Sequence, residues 1–128
     1  MENEVMERER RNEKRIYPVK TMQLIFESRK PIVGRIHNIS HCGVSVEYDG
    51  QSPPDLDGEI TIKMTLDMQS SLMVDGVRCR SVYDIPTLTH DRSFRGANLR
   101  LCGLEYTGMS PDHRQNLERL LASAEQHT

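Results

Sequence analysis

The fold is indicated most clearly by Ile60–Leu66, which reads Ile-Thr-Ile-Lys-Met-Thr-Leu. Apolar side chains occupy every second position of this stretch, and polar side chains occupy the positions between them. Successive side chains of a β-strand point to opposite faces of a sheet, so a period of two predicts a strand that is buried on one face only. The chain is therefore expected to contain at least one half-buried sheet.

Similar segments lie on both sides of this strand. Two extended runs are joined by a polar turn at 28–30, and Val44, Val46 and Tyr48 alternate with polar residues. A polar stretch at 84–96 separates two further runs near the end of the chain. We predict about six strands, at 21–27, 31–39, 44–48, 60–66, 72–82 and 97–106.

One helix is predicted to close the chain. Ser110, Pro111 and Asp112 supply an N-cap residue, a proline for the first helical position and an acid for the first turn. An apolar face follows at helical spacing, formed by Leu117, Leu120, Leu121 and Ala124. Short antiparallel strands followed by one amphipathic helix favour an all-β fold, a closed or nearly closed β-barrel with a helical lid.

Composition divides the chain into two parts. The first fifteen residues carry five acids and five bases and almost nothing to bury, whereas the strand-like segments begin soon after them. A segment of this kind is expected to be mobile or at most a frayed helix in isolation. We therefore predict a charged N-terminal arm at residues 1–15 and a single globular domain at residues 16–128.

Charge and cysteine content exclude several classes of protein. The 128 residues carry a formal net charge of −2, which argues against a protein that binds DNA or RNA through bulk electrostatics, and two Phe and four Tyr leave few stacking platforms for RNA. Three cysteines without a CxxC pair suggest neither a disulfide framework nor a zinc site. No signal peptide and no apolar run of ~20 residues is present, so we expect a cytoplasmic protein without a membrane span.

Metal binding and catalysis find little support. His37 and His41 lie ~13 Å apart on an extended strand, too far to share one ion with Cys42. No known catalytic motif frames the available hydroxyl, imidazole and carboxylate groups. These groups belong to Ser40, Ser45, His90 and Asp91. We expect no resident metal, no cofactor and no enzymatic activity.

Two short patterns carry the functional information. The arm contains Arg11-x-x-x-Arg15, and the end of the second predicted strand contains Asn38-x-Ser40-x-x-Gly43. Together they resemble the signature of the PilZ domain family, RxxxR followed by [D/N]xSxxG. The resemblance extends over 8–121 and includes the Gly-Leu-Glu-Tyr strand at 103–106. It implies a six-stranded antiparallel β-barrel of the split-barrel type with a C-terminal helix.

Strand pairing gives an independent reason to join the two patterns. If the first hairpin turns near residues 29–30, Ser40 lies near Val19 and Gly43 lies near Ile16. The arm and the second pattern are then expected at the same end of the sheet. Asn38 and Ser40, two apart on a strand, are expected to project from one face at ~7 Å spacing. Gly43 is expected to let a ligand or the arm approach the backbone closely, because it lacks a Cβ.

The PilZ resemblance implies cyclic di-GMP as the ligand. Its phosphates require charge-assisted hydrogen bonds, and its guanines accept both donors of one guanidinium, so Arg11 and Arg15 are expected to contact these groups or stack on the bases. Arg10, in front of the RxxxR, accompanies binding of an intercalated ligand pair in this family. Asn38 is expected to accept from a guanine N–H, assisted by Ser40. The family more often has Asp in place of Asn38, whose charge would make a stronger bond.

The implied function is that of a bacterial second-messenger sensor involved in motility or biofilm regulation. Since the chain shows no output of its own, its signal is expected to pass to a separate, unidentified effector protein, with the sensor a monomer or a weak homodimer. The alternative is a PilZ-fold adaptor that does not bind nucleotide. Two plainer interpretations also stand: the arm as a solvated charged tail, and 38–43 as ordinary turn chemistry.

Overall fold

The protein is described by a computed structural model that covers residues 14–19, 21–66, 72–87 and 98–125. Its strands are β1 (Met22–Glu27), β2 (Ile32–Ile39), β3 (Gly43–Asp49), β4 (Ile60–Leu66), β5 (Met73–Pro86) and β6 (Leu99–Gly108), and they are followed by the helix α1 (Pro111–Glu125). The expected six strands and terminal helix are confirmed. Arg10, Arg11, His90 and Asp91, and most of the proposed arm, lie outside the described residues.

The strands form a closed barrel in the order β1-β2-β3-β6-β5-β4, and every neighbouring pair is antiparallel. Closure follows from β1, which pairs with both β2 and β4. In such a barrel each of the six described strands has a partner on both sides, so none of them presents a long edge that could pair with another chain.

The barrel interior is filled by the apolar residues that the period of two predicted. On β4, Ile60, Ile62, Met64 and Leu66 are each at most 5% exposed. The four apolar residues predicted on the helix are also buried and belong to the same hydrophobic cluster. The helix lies against β5 and β4, so its apolar face is part of the barrel core rather than a free surface.

The start of the helix is held by reciprocal hydrogen bonds. The backbone N–H of His113 donates to Oγ of Ser110 at 3.1 Å, and the backbone N–H of Ser110 donates to Nδ1 of His113 at 3.1 Å. This is the arrangement of a capping box in which a histidine replaces the usual Glu or Gln. Within the described residues, no helix has the length and hydropathy needed to cross a membrane.

The arm joins the barrel in a register that differs from the expectation. Ile16 was expected near Gly43, but it forms a bridge with Ile39, with N–H to O distances of 2.8 and 3.0 Å. The β1–β2 register itself is within one residue of the expected one. The difference arises between the bridge and β1, because Pro18 has no N–H for a ladder and Val19 donates its N–H to the carbonyl of Ala124 in the helix at 3.4 Å.

Candidate ligand-binding site

The second arginine of the arm contacts the first residue of the strand motif. Nη1 of Arg15 donates a hydrogen bond to Oδ1 of Asn38 at 3.1 Å. Asn38 is 7% exposed, whereas Arg15 is exposed to solvent. The bridge between Ile16 and Ile39 fixes the backbone on both sides of this contact. The last residue of the arm pattern and the first residue of the strand motif are therefore in contact, although the arm joins the barrel in a register that differs from the expected one.

The turn that follows β2 uses the hydroxyl of Ser40 to hold itself together. Oγ of Ser40 accepts from the backbone N–H groups of Cys42 and Gly43 at 3.3 and 3.2 Å, and the Ser40 N–H donates to the Gly43 carbonyl at 2.9 Å. Ser40 lies just beyond the end of β2 and is 2% exposed. These contacts are turn chemistry of the kind that Asn, Ser and Gly favour.

Gly43 is needed for the packing of two strands. A Cβ at this position would overlap the backbone carbonyl oxygen of Leu104 in the neighbouring strand β6. The close approach that was expected here from a ligand or the arm is made instead by β6, to which Gly43 is paired through Glu105. The same glycine also lines a cavity on the barrel surface.

That cavity, of about 270 Å³, lies where the arm, the turn and three strands come together. Its wall combines residues of both motifs with residues of β3, β5 and β6. It is lined by Arg15, Ser40, Cys42, Gly43, Val44, Ser45, Val82, Tyr83, Gly103, Leu104 and Glu105. Asn38 does not line the cavity, but it is hydrogen-bonded to Arg15, which does. A second cavity, of about 460 Å³, borders the other side of the arm and shares Arg15.

Eight of the eleven lining residues were not predicted as ligand contacts, among them Ser45, Tyr83 and Gly103. The hydroxyl groups of Ser45 and Tyr83 are 2.6 Å apart and hydrogen-bonded, and the ring of Tyr83 lies where a Cβ of Gly103 would be. Ser45 alternates with the buried Val44 and Val46, so its side chain is on the outside of the barrel. That alternation was the one available signal, because nothing near Tyr83 in sequence indicates its contact with Ser45.

Both segments of the site also contact the helix. Nε2 of His41, in the turn, is 2.6 Å from Oε1 of Glu118, and Lys14, in the arm, forms an ion pair with Glu125. These pairs involve exposed groups, and exposed ion pairs typically contribute at most about 1 kcal/mol. They nevertheless place one face of the helix against the two segments that border the cavity.

The two histidines that were considered and set aside as metal ligands contact different partners. Nδ1 of His37 is 3.5 Å from Oε1 of Glu47, while His41 contacts the helix. Across the part of the chain that the structure describes, no group of three or more His, Cys, Asp or Glu side chains is arranged to hold a metal ion.

Comparisons with known proteins agree with the fold. The PilZ domain family model matches residues 9–123 of the chain. No match was found among curated proteins. Among solved structures, the PilZ domain of YcgR from Escherichia coli with c-di-GMP matches with a TM-score of 0.69 and 16% identity, over 91% of this chain and 92% of that chain.

Two longer proteins share the same fold. MotI/DgrA, an inhibitor of motility from Bacillus subtilis, matches with a TM-score of 0.63 and 15% identity, over 88% of this chain and 49% of that chain. PlzA from Borreliella burgdorferi, solved in complex with c-di-GMP, matches with a TM-score of 0.58 and 12% identity, over 99% of this chain and 60% of that chain. This chain therefore spans about half the length of MotI/DgrA. Given the extent of the family match and the six-stranded closed barrel with its terminal helix, the chain belongs to the PilZ domain family.

Proposed function

We propose that this chain is a bacterial receptor for cyclic di-GMP, which binds on the outer face of the barrel between the N-terminal arm and strands β3, β5 and β6. The observation that carries the proposal is the hydrogen bond between Arg15 and Asn38. It places an exposed guanidinium at a cavity that the strand motif also lines. Membership of the PilZ family and the c-di-GMP complexes of YcgR and PlzA support the choice of ligand.

The chemistry of the cavity suits a guanine nucleotide. A guanidinium has five N–H donors in a planar fork, and Arg15 uses one of them on Asn38. The remaining donors are available for a phosphate oxygen or for the O6 and N7 atoms of guanine. In this proposal Arg10 and Arg11 supply the additional cations that two phosphates require, and an intercalated ligand pair is the stoichiometry associated with Arg10.

Asn38 and Ser40 take part without leaving their present contacts. The carbonyl oxygen of Asn38 has two acceptor sites, so it can receive a guanine N–H while it still accepts from Arg15. Ser40 acts mainly by fixing the turn, whose backbone and Gly43 then form the edge of the cavity. The strand motif in this proposal is thus partly a direct contact and partly a scaffold.

The signal then has to leave the domain. The arm and the turn both contact the terminal helix, through Lys14 with Glu125 and His41 with Glu118. A ligand that changes the position of either segment alters these contacts, and we propose that a separate effector protein in the cytoplasm senses the change. The MotI/DgrA relative is an inhibitor of motility, which fits a role for this chain in motility or biofilm control.

One observation favours the alternative, a PilZ-fold adaptor that binds no nucleotide. The side-chain oxygens of Asn38 and Ser40 are both already hydrogen-bonded within the protein. An adaptor would need these contacts only for structure.

Calorimetry separates the two functions. Cyclic di-GMP titrated into the full chain is expected to bind with micromolar affinity, a free energy of about −8 kcal/mol. Arg15→Ala and Asn38→Ala are each expected to weaken binding about tenfold or more, because a hydrogen bond to a charged group contributes about 1.5–3 kcal/mol. Arg35→Ala is the matched control, since Arg35 is also exposed and paired, but with Glu47, and neither of these residues lines the cavity. Absence of binding to the folded wild-type chain would favour the adaptor.

A further inference from the structure

We propose that Tyr83 is the base-stacking platform of this site and that Ser45 is the residue that positions it. The proposal rests on the function proposed above, because it specifies where a purine base of cyclic di-GMP lies. It concerns a residue outside both sequence motifs. Four features of the structure carry it: the anchored hydroxyl, the glycine beneath the ring, the exposed ring face and the irregular strand around the tyrosine.

The hydroxyl of Tyr83 is fixed by a buried partner. It is 2.6 Å from Oγ of Ser45, and Ser45 is 2% exposed. Ser45 is carried on β3 between two core residues, so its own position is set by the barrel. A phenol ring held at its far end by such a partner has lost much of its freedom to rotate. It therefore provides a rigid surface before any ligand arrives.

The ring lies face down on Gly103. A Cβ built on this glycine would overlap ring carbon Cε2 most closely, and would be 2.5 Å from each of the neighbouring ring carbons, Cδ2 and Cζ. The distances from this Cβ to Cδ2 and Cζ are equal and only slightly longer than its distance to Cε2. A Cβ beyond the edge of the ring would be much farther from these two atoms than from Cε2, so the Cβ lies above the ring face. Gly103 is paired with both Ser45 and Tyr83 across the sheet. Any larger residue at 103 would lift the ring from the sheet.

The opposite face of the ring is open to the cavity. Tyr83 is 37% exposed and lines the same cavity as Arg15. Since one face covers Gly103 and the hydroxyl is bonded to Ser45, the exposed area includes the outward face of the ring. Every nucleobase can stack on an aromatic face, and an arginine guanidinium can stack on the other side of the same base. A purine between Tyr83 and Arg15 would use both groups.

The strand is irregular at this position. The register between β5 and β6 shifts between Ser81 and Tyr83, so two consecutive residues, Val82 and Tyr83, are both exposed. Irregularities of this kind redirect side chains and are common beside functional sites. In a regular strand one of these two residues would point into the barrel. The shift therefore turns a large aromatic side chain outward, which core packing alone does not require.

Affinity measurements on three variants test the stacking role. Tyr83→Leu removes the ring and is expected to weaken cyclic di-GMP binding roughly tenfold to hundredfold. Tyr83→Phe keeps the ring, and is expected to bind within a few-fold of the wild type. Ile85→Ala is the control, because it removes another exposed apolar side chain from β5, outside the cavity. Thermal melts establish that each variant is folded.

Nuclear magnetic resonance of labelled tyrosine rings gives a second readout that a purely structural role would not move. The ring resonances of Tyr83 are assigned by comparison with the Tyr83→Phe variant. Stacking of guanine is expected to shift them upfield, while the ring resonances of the buried Tyr48 do not shift. Wild-type binding with unshifted Tyr83 resonances, or with equal affinity in a folded Tyr83→Leu variant, would overturn the stacking role and leave the receptor standing. A wild-type chain that does not bind would overturn both.

Discussion

Arg15 and Asn38 are 23 residues apart in sequence and are joined by a hydrogen bond of 3.1 Å between Nη1 and Oδ1. This contact attaches the end of the arm to the barrel. Backbone hydrogen bonds between the adjacent residues Ile16 and Ile39 flank this contact. Part of the proposed site is therefore held by contacts within the protein, and we propose that Arg11, which lies outside the described residues, adds a further cation.

The geometry of this contact predicts that lysine cannot replace Arg15. Arg15→Lys keeps the charge but removes the planar fork that lets one side chain bond Asn38 and the ligand together. We expect the affinity for cyclic di-GMP to fall about tenfold, the equivalent of about 1.4 kcal/mol. The measurement is calorimetry beside Arg35→Lys as the control. Equal affinity in Arg15→Lys and wild type would show that charge alone is used.

Gly43→Ala is expected to destabilise the fold as well as the site. The added methyl group would overlap the carbonyl oxygen of Leu104, and relief requires β3 and β6 to separate. Overpacking of this kind typically costs about 1–3 kcal/mol. Urea unfolding measures the loss. Gly58→Asn is the control, because Gly58 has open space around it and a φ of 67°, which Asn tolerates. Unchanged unfolding of Gly43→Ala would contradict the packing role.

The buried hydroxyl of Tyr48 is expected to make the free energy of unfolding fall at alkaline pH. Its hydroxyl donates to Oδ1 of Asp84 at 2.7 Å, and burial together with this carboxylate raises the pKa of Tyr48 from 10.0 to about 12. The folded state therefore favours the protonated phenol. Its contribution is complete below pH 10 and is lost as the pH rises toward 12.

The test compares the free energies of unfolding of wild type and Tyr48→Phe across this range. Phe cannot ionise, so the advantage of the wild type is expected to shrink between pH 10 and pH 12. A difference that stays constant through the window would mean that Tyr48 ionises equally in the folded and unfolded chains.

We predict that one of the three cysteine thiols reacts with maleimide in the native protein. Cys42 is exposed in the cavity wall, whereas Cys79 and Cys102 are fully buried, and burial raises the pKa of their thiols to about 12 and about 11. Maleimide labelling is expected to modify Cys42 alone until the chain is unfolded. Saturating cyclic di-GMP is expected to slow that labelling. Labelling of two or three thiols in the folded protein would contradict the core assignment.

The parts of the fold that were predicted correctly are those where burial leaves a local pattern. The alternation in β4 and the apolar face of the helix each report one buried side, and both are confirmed. The end of β5 was not predicted, because 83–86 are largely exposed and are held by pairing with β6 through a register shift. A segment of this kind is recognised as a strand only from its pairing with β6 in the structure.

The candidate site also contains some features that local sequence patterns predict and others that depend on residues distant in sequence. The two motifs are local in sequence, and strand pairing predicted only that the arm and the strand motif lie at the same end of the sheet, not the contact between Arg15 and Asn38. The register of Ile16 was wrong because a non-repetitive stretch around Pro18 interrupts the ladder. The contact between Tyr83 and Ser45 spans 38 residues, and no local pattern encodes it. The assigned ligand roles of the motif residues stay predictions.

The most direct measurement is a map of amide chemical-shift changes in the uniformly ¹⁵N-labelled chain as cyclic di-GMP is added. We predict that the largest changes cluster at Arg15, the turn 40–43, Ser45, Tyr83 and Gly103, around one cavity. The loop 50–59 is expected to stay unchanged, because β3 runs from the turn at one end to this loop at the other. Saturable changes centred on 50–59, or none near Arg15 and Gly103, would contradict the proposed site.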